Sequence, residues 1–156
     1  MQNKTNARPS LVWLLIALLG LLAVGALAGG GALFLAPDGR LMGMPLALLQ
    51  GTPFTSYAIP GALLFTCVGV YPLAVAYSLW ARPGWRWPDT FNPFKRFHWA
   101  LAASLAAGVI DVIWISVQII LVGYQGLIQS FYFVWGLIII SLTLAPGIRG
   151  YCRRKG

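Results

Sequence analysis

Long apolar stretches alternate with short polar or proline-rich ones, and four of them, residues 11–36, 61–80, 99–122 and 127–145, hold most of the apolar side chains. At ~1.5 Å rise per residue, about 20 such residues make a helix that crosses a hydrocarbon core of ~30 Å. Backbone groups in hydrocarbon must pair within their own segment, so runs of this length predict helices. The pattern therefore predicts an all-α membrane protein: a four-transmembrane-helix bundle forming a single domain over residues 1–156.

The punctuation between the runs refines this layout. Pro37-Asp38-Gly39-Arg40 is a turn signal, since Pro presets φ, Asp closes a local hydrogen bond and Gly accepts positive φ. Met44-Pro45-Leu46-Ala47-Leu48-Leu49-Gln50 is too short to span. It predicts a short interfacial helix starting at Pro45 in the first extracytoplasmic loop, which has almost no charge and lies on the bundle as an apolar lid. Pro72 sits inside the second run; its missing N–H leaves the Val68 carbonyl without its usual donor and predicts a kink at Tyr71-Pro72. Gly123-Tyr124-Gln125-Gly126 is a tight turn, so the third and fourth helices are expected to be antiparallel neighbours. Gly25 and Gly29, with Ala32 on the same side, predict a face where another helix approaches closely. The basic start, the leucine-rich run and Ala26-Leu27-Ala28 also fit a cleavable signal peptide. The apolar run continues to Leu35, and an uncleaved span is the expectation.

Charge orients the bundle. The chain is 59% hydrophobic and 9% charged, which excludes a soluble fold, and its formal net charge is +8. Lys4 and Arg8 precede the first run, Arg82, Arg86, Lys95 and Arg96 follow the second, and Arg149, Arg153, Arg154 and Lys155 form a solvated basic tail; Arg40 alone stands on the other side. The positive-inside rule then places both termini in the cytoplasm. Trp80, Trp85, Trp87 and Trp99 beside the second basic group mark a headgroup-level loop. The cations flank apolar segments and form no folded patch with a reading helix, so anionic lipid headgroups are the expected partners and nucleic acid is not. Cys67 and Cys152 fall at different depths and are expected to stay unpaired.

The candidate chemistry is confined to one polar seam. Asp111 is the acid within the long apolar runs, and Ser104, Asp111 and Gln118 recur every seven residues, which keeps them on one helix face. An ionised carboxylate in hydrocarbon is costly, and no Lys or Arg lies in any span, so a neutral Asp111 turned into the bundle is expected. Counting depth along the helices brings Tyr71 and Trp135 to its level as hydrogen-bond partners. The five form a candidate ligand or proton site. Asp38 and Asp89 belong to opposite loops and there is no glutamate, so paired-carboxylate catalysis has no basis here. His98, the single histidine, has no ligand-spaced partner, and no metal site, cofactor or catalytic residue is expected.

The run Gln50-Gly51-Thr52-Pro53-Phe54, then Tyr57-Ala58-Ile59-Pro60-Gly61, His98-Trp99, Trp114-Ile115, Val117-Gln118 and Leu144-Ala145-Pro146-Gly147-Ile148-Arg149 resembles an uncharacterised family of small four-helix bacterial integral membrane proteins. The resemblance implies the four-span layout, a bacterial cytoplasmic membrane and no established activity. Asp111 is not among the residues that carry it. Two functions remain expected: an accessory or lipid- or quinone-binding membrane protein, acting with a partner subunit or as a homo-oligomer, or a small oligomeric transporter or proton-conducting protein using Asp111.

Overall fold

The computed structural model describes residues 10–153; Lys4, Arg8, Arg154 and Lys155, which the charge count used, lie outside them. Its helices are α1 (Ser10–Leu35), α2 (Ala58–Leu63), a π-helical segment (Leu64–Val70), α3 (Tyr71–Ala81), α4 (Arg86–Thr90), α5 (Trp99–Val122), α6 (Leu127–Leu144) and α7 (Pro146–Cys152). Four stretches are long and apolar enough to cross a membrane: α1, the continuous helix Ala58–Ala81, α5 and α6. The second begins three residues before the predicted Gly61, because Pro60 fits within a first helical turn, where its missing N–H has no partner to lose.

The interior is built around α1. Val12, Leu15, Leu19, Leu22 and Ala26 recur at helical spacing and are buried, with Val68, Val75, Leu79, Ala107 and Ile139 in the same cluster. Large apolar side chains face outward elsewhere, among them Leu127 at 84% exposure and Ile120 at 80%. In water such a surface would be strongly unfavourable.

The predicted kink at Pro72 takes a different form. Tyr71 N–H donates to Thr66, five residues back, where an α-helix would use the fourth. This widened pairing over Leu64–Val70 absorbs the donor lost at proline and lets the helix run on to Ala81.

Close helix approach also falls elsewhere than at Gly25 and Gly29. A Cβ on Gly30 would lie 2.6 Å from Phe65 N and 2.8 Å from Gly61 O, and one on Gly61 would lie 3.0 Å from Gly30 O, so α1 and α2 touch backbone to backbone there. Gly108 and Gly136 repeat the arrangement between α5 and α6: a Cβ on either would lie 2.9 Å or 3.1 Å from the other's carbonyl oxygen. At Gly25 the space is taken by the Tyr132 hydroxyl.

The connection between α1 and α2 is closed by Tyr57, which is buried: its N–H donates to Pro37 O at 2.9 Å and its hydroxyl to Pro45 O at 2.9 Å. The short helix expected from Pro45 is a 3-10 helix, Leu46–Leu49, with Pro45 as its N-cap. Leu49 and Tyr57 pack with Leu33, Met44, Phe54 and Val122. At the other end, Arg149 and Arg153 are exposed as a solvated basic tail would have them, but Arg149 belongs to a helix, α7, that folds back onto the bundle. Ile148 and Cys152 are buried, the Tyr151 hydroxyl donates to Leu79 O at 3.2 Å, and His98 N–H donates to Cys152 O at 2.7 Å. Pro146 and Ala145 start α7 by the usual proline-first geometry.

Candidate functional site

Asp111 lies on the face of α5 turned toward α6 and α1 and is 1% exposed. Room for its carboxyl comes from Gly136: a Cβ there would stand 2.9 Å from Asp111 Oδ2. The carboxyl borders a half-open cavity of about 200 Å³ lined by α1, the π segment, α5 and α6. Apolar walls come from Leu22, Ala26, Leu64 and Val68; Trp114, Gln118, Gln129 and Tyr132 bring polar atoms. Met42 and Met44 reach it from the α1–α2 connection, so it extends from Asp111 toward that end of the bundle. A second cavity of about 180 Å³ lies under the connection, against Tyr57, Phe54 and Leu49, and shares Leu33, Met44, Trp114 and Gln118 with the first.

Two polar atoms here are buried without a hydrogen-bond partner, Asp111 Oδ2 and Trp114 Nε1. Each such atom costs about 1–3 kcal/mol. They sit three residues apart on one helix face and border the same cavity.

The other residues read as partners of Asp111 are engaged elsewhere. The Tyr71 hydroxyl donates to Ala103 O at 3.0 Å and Trp135 Nε1 to Leu18 O at 3.1 Å, so these side chains tie the second span to α5 and α6 to α1. Trp135 adjoins Gly136, which faces Asp111, whereas Ala103 lies eight residues from Asp111, ~12 Å along α5; each side chain takes a helix carbonyl as its acceptor. Ser104 is buried and gives its hydroxyl to Ala100 O at 2.7 Å, away from the cavity. Gln118 does share the cavity with Asp111. Gln129, which borders the cavity with Gln118, accepts from Gln125 N–H at 2.7 Å and so caps the α5–α6 turn.

Sequence reasoning missed Trp114 and Gly136, and it placed Tyr132 near the outer end of the fourth helix, within reach of Gln118, without joining it to Asp111. The signal for Trp114 was present, since it follows Asp111 by three residues; the other two belong to α6, whose rotation no spacing reveals. Among the described residues no three His, Cys, Asp or Glu side chains form a group able to hold a metal ion. Searched against protein-family models, curated proteins and solved structures, the chain matches none. Residue roles therefore rest on the geometry alone.

Proposed function

We propose that this is a multi-pass protein of the bacterial cytoplasmic membrane, with both termini cytoplasmic, that binds an uncharged amphipathic molecule, a lipid or a quinone, in the cavity at Asp111. The reading is carried by the pair of unpartnered buried atoms, Asp111 Oδ2 and Trp114 Nε1, at one apolar cavity. A ligand carbonyl accepting from the indole N–H, with a second polar group at the carboxyl, would remove both costs at once. Among the described residues no cation lines the cavity, which disfavours an anionic ligand, and one carboxyl without a second acid disfavours a divalent cation. Ligand sites for drug-sized molecules run to roughly 300–1,000 Å³. At about 200 Å³ this one suits a ring or headgroup, with the tail leaving between helices or into the adjoining cavity.

A proton path through Asp111 is the second reading and asks for more. It needs polar continuity from Asp111 to the end of α5 at Trp99, whereas Ser104 is turned to its own helix and Ala107 and Ile139 are buried in between.

A mass-spectrometric inventory of the lipids and quinones that leave the membrane with the protein in mild detergent tests the proposal. One species should be retained in near-stoichiometric amount by the wild type and lost from Asp111→Leu. If both proteins carry the same bulk lipids, and liposomes bearing the wild type conduct protons while Asp111→Asn does not, the binding reading is wrong and the proton reading replaces it.

A further inference from the structure

At the opposite end of the bundle from the α1–α2 connection, Arg96, Arg149 and Arg153 line one cavity of about 400 Å³, with Phe97, Pro146 and Gly150 completing its wall. They come from two segments that meet there, the approach to α5 and α7 with the residue that follows it. We propose that the three arginines bind the phosphodiester of an anionic phospholipid, and that one acyl chain of the same lipid lies in the adjoining cleft between α5 and α6.

The cluster is held by the fold. Buried Asn92 donates from Nδ2 to Phe97 O at 2.9 Å and accepts from Phe94 N–H at 3.0 Å, which fixes the turn carrying Arg96. Phe97 then pairs with Arg153 in an isolated antiparallel bridge, and the Arg149 guanidinium stands 5.8 Å from the centroid of the Phe97 ring. Phe97 thus fixes the backbone that carries Arg153 and packs its ring against the Arg149 side chain, reducing the entropy that Arg149 loses when the cluster closes on a ligand.

Charge selects the ligand. Among the described residues no carboxylate lines the cavity. The chain has three acids, of which Asp38 lies in the α1–α2 connection, Asp111 is buried in α5, and Asp89 accepts from Asn92 Nδ2 at 3.3 Å. Guanidinium forks match phosphate oxygens in bidentate fashion, which a Lys does not. Three of them repel the ammonium of a zwitterionic headgroup, so an anionic phospholipid is preferred.

Shape distinguishes a lipid from a free phosphate. A second cleft of about 190 Å³ shares Phe97 and Arg149 with the first and is otherwise walled by Phe94, Leu101, Leu105, Thr143 and Leu144. The Thr143 hydroxyl donates to Ile139 O at 2.7 Å, so this arm presents an apolar face. It leads from the arginines along α5 and α6, the direction an acyl chain takes below its phosphate in a bilayer. Free phosphate has no use for that arm.

The test uses the full chain in mild detergent, with native mass spectrometry of adducts formed with dioleoyl phosphatidylglycerol or dioleoyl phosphatidylcholine, and inorganic phosphate as competitor. The wild type should retain phosphatidylglycerol at least ~5-fold over phosphatidylcholine. Arg149→Gln and Arg96→Gln/Arg153→Gln should abolish that preference while the thermal midpoint stays within the scatter of the wild type. Lys95→Gln, a neighbouring cation outside the cleft, should leave it unchanged. Leu144→Trp should lower retention by filling the acyl arm at a half-exposed position where the fold tolerates bulk. Equal loss from Lys95→Gln and Arg149→Gln would mean a diffuse basic surface and overturn the site. Competition by millimolar inorganic phosphate, with Leu144→Trp silent, would make the ligand a free phosphate and overturn the lipid assignment.

Discussion

Asp111 and Gly136 face each other across the α5–α6 interface so closely that a Cβ on Gly136 would come within 2.9 Å of Asp111 Oδ2. The same Cβ would lie 2.8 Å from Val112 Cγ2 and 3.1 Å from Gly108 O. Gly136→Ala should therefore destabilise the bundle by about 1–3 kcal/mol, the usual range for overpacking. Adding Asp111→Ala should recover part of the loss, because one contact disappears while the Val112 and Gly108 contacts remain. Thermal unfolding of both single variants and the double variant gives the coupling; strict additivity would show that the glycine does not shelter the carboxyl.

Trp114→Phe keeps most of the ring and removes an N–H that has no partner among the described residues. Delipidated variant should be as stable as the wild type or slightly more so, since an unpaired buried donor is gone. Its retention of the ligand should fall about 3–10-fold, the worth of one hydrogen bond of about 0.5–1.5 kcal/mol. Unchanged retention would remove Trp114 from the site.

The glycines of α1 should respond in graded order to alanine. Nothing lies within 4 Å of a Cβ on Gly20, so Gly20→Ala should stabilise the helix by up to about 1 kcal/mol. At Gly25 the Cβ meets only the Tyr132 hydroxyl, the far end of a movable side chain, and the effect should be small. At Gly30 it meets the backbone of α2 and the π segment, and Gly30→Ala should be the most destabilising of the three. Unfolding midpoints in one detergent rank them directly.

Burial pushes the Cys152 thiol up from 9.0 to about 11, with Arg82 nearby opposing the shift. Below pH 9 the thiol is protonated in both folded and unfolded chains. Between pH 9 and about 11 the unfolded chain releases the proton and the folded one keeps it, so stability falls as pH rises through this window, by an amount on the order of 1–2 kcal/mol. Unfolding midpoints followed against pH should show the fall in the wild type and less of it in Cys152→Ser.

Orientation is open to labelling. With Cys67 and Cys152 replaced by alanine, Gln50→Cys should react with a membrane-impermeant maleimide on intact cells, and Gly84→Cys only after the inner face is opened. Both positions are exposed, so access depends on the side of the membrane alone. The reverse result would invert the proposed topology.

The number, length and order of the four long apolar helices were legible in the sequence because they depend on local quantities: the length of an apolar run, a proline at a helix start, two glycines in a turn. The ends of α5 fall at Trp99 and Val122 as the hydropathy pattern predicts, and α6 starts at Leu127. The inward direction of Asp111 was legible too, since hydrocarbon penalises the alternative. What only the tertiary structure decided was rotation and partnership. A helix carries a carbonyl at every level, and Tyr71 and Trp135, expected to bond Asp111, donate instead to Ala103 O and Leu18 O. Spacing alone could not say that Gly136 would stand opposite Asp111, nor that Gly30, one residue beyond the GxxxG pair, would be the point of contact. The π segment before Pro72 and the return of α7 onto the bundle arise in the same way, from long-range packing that decides which of several local backbone solutions is kept.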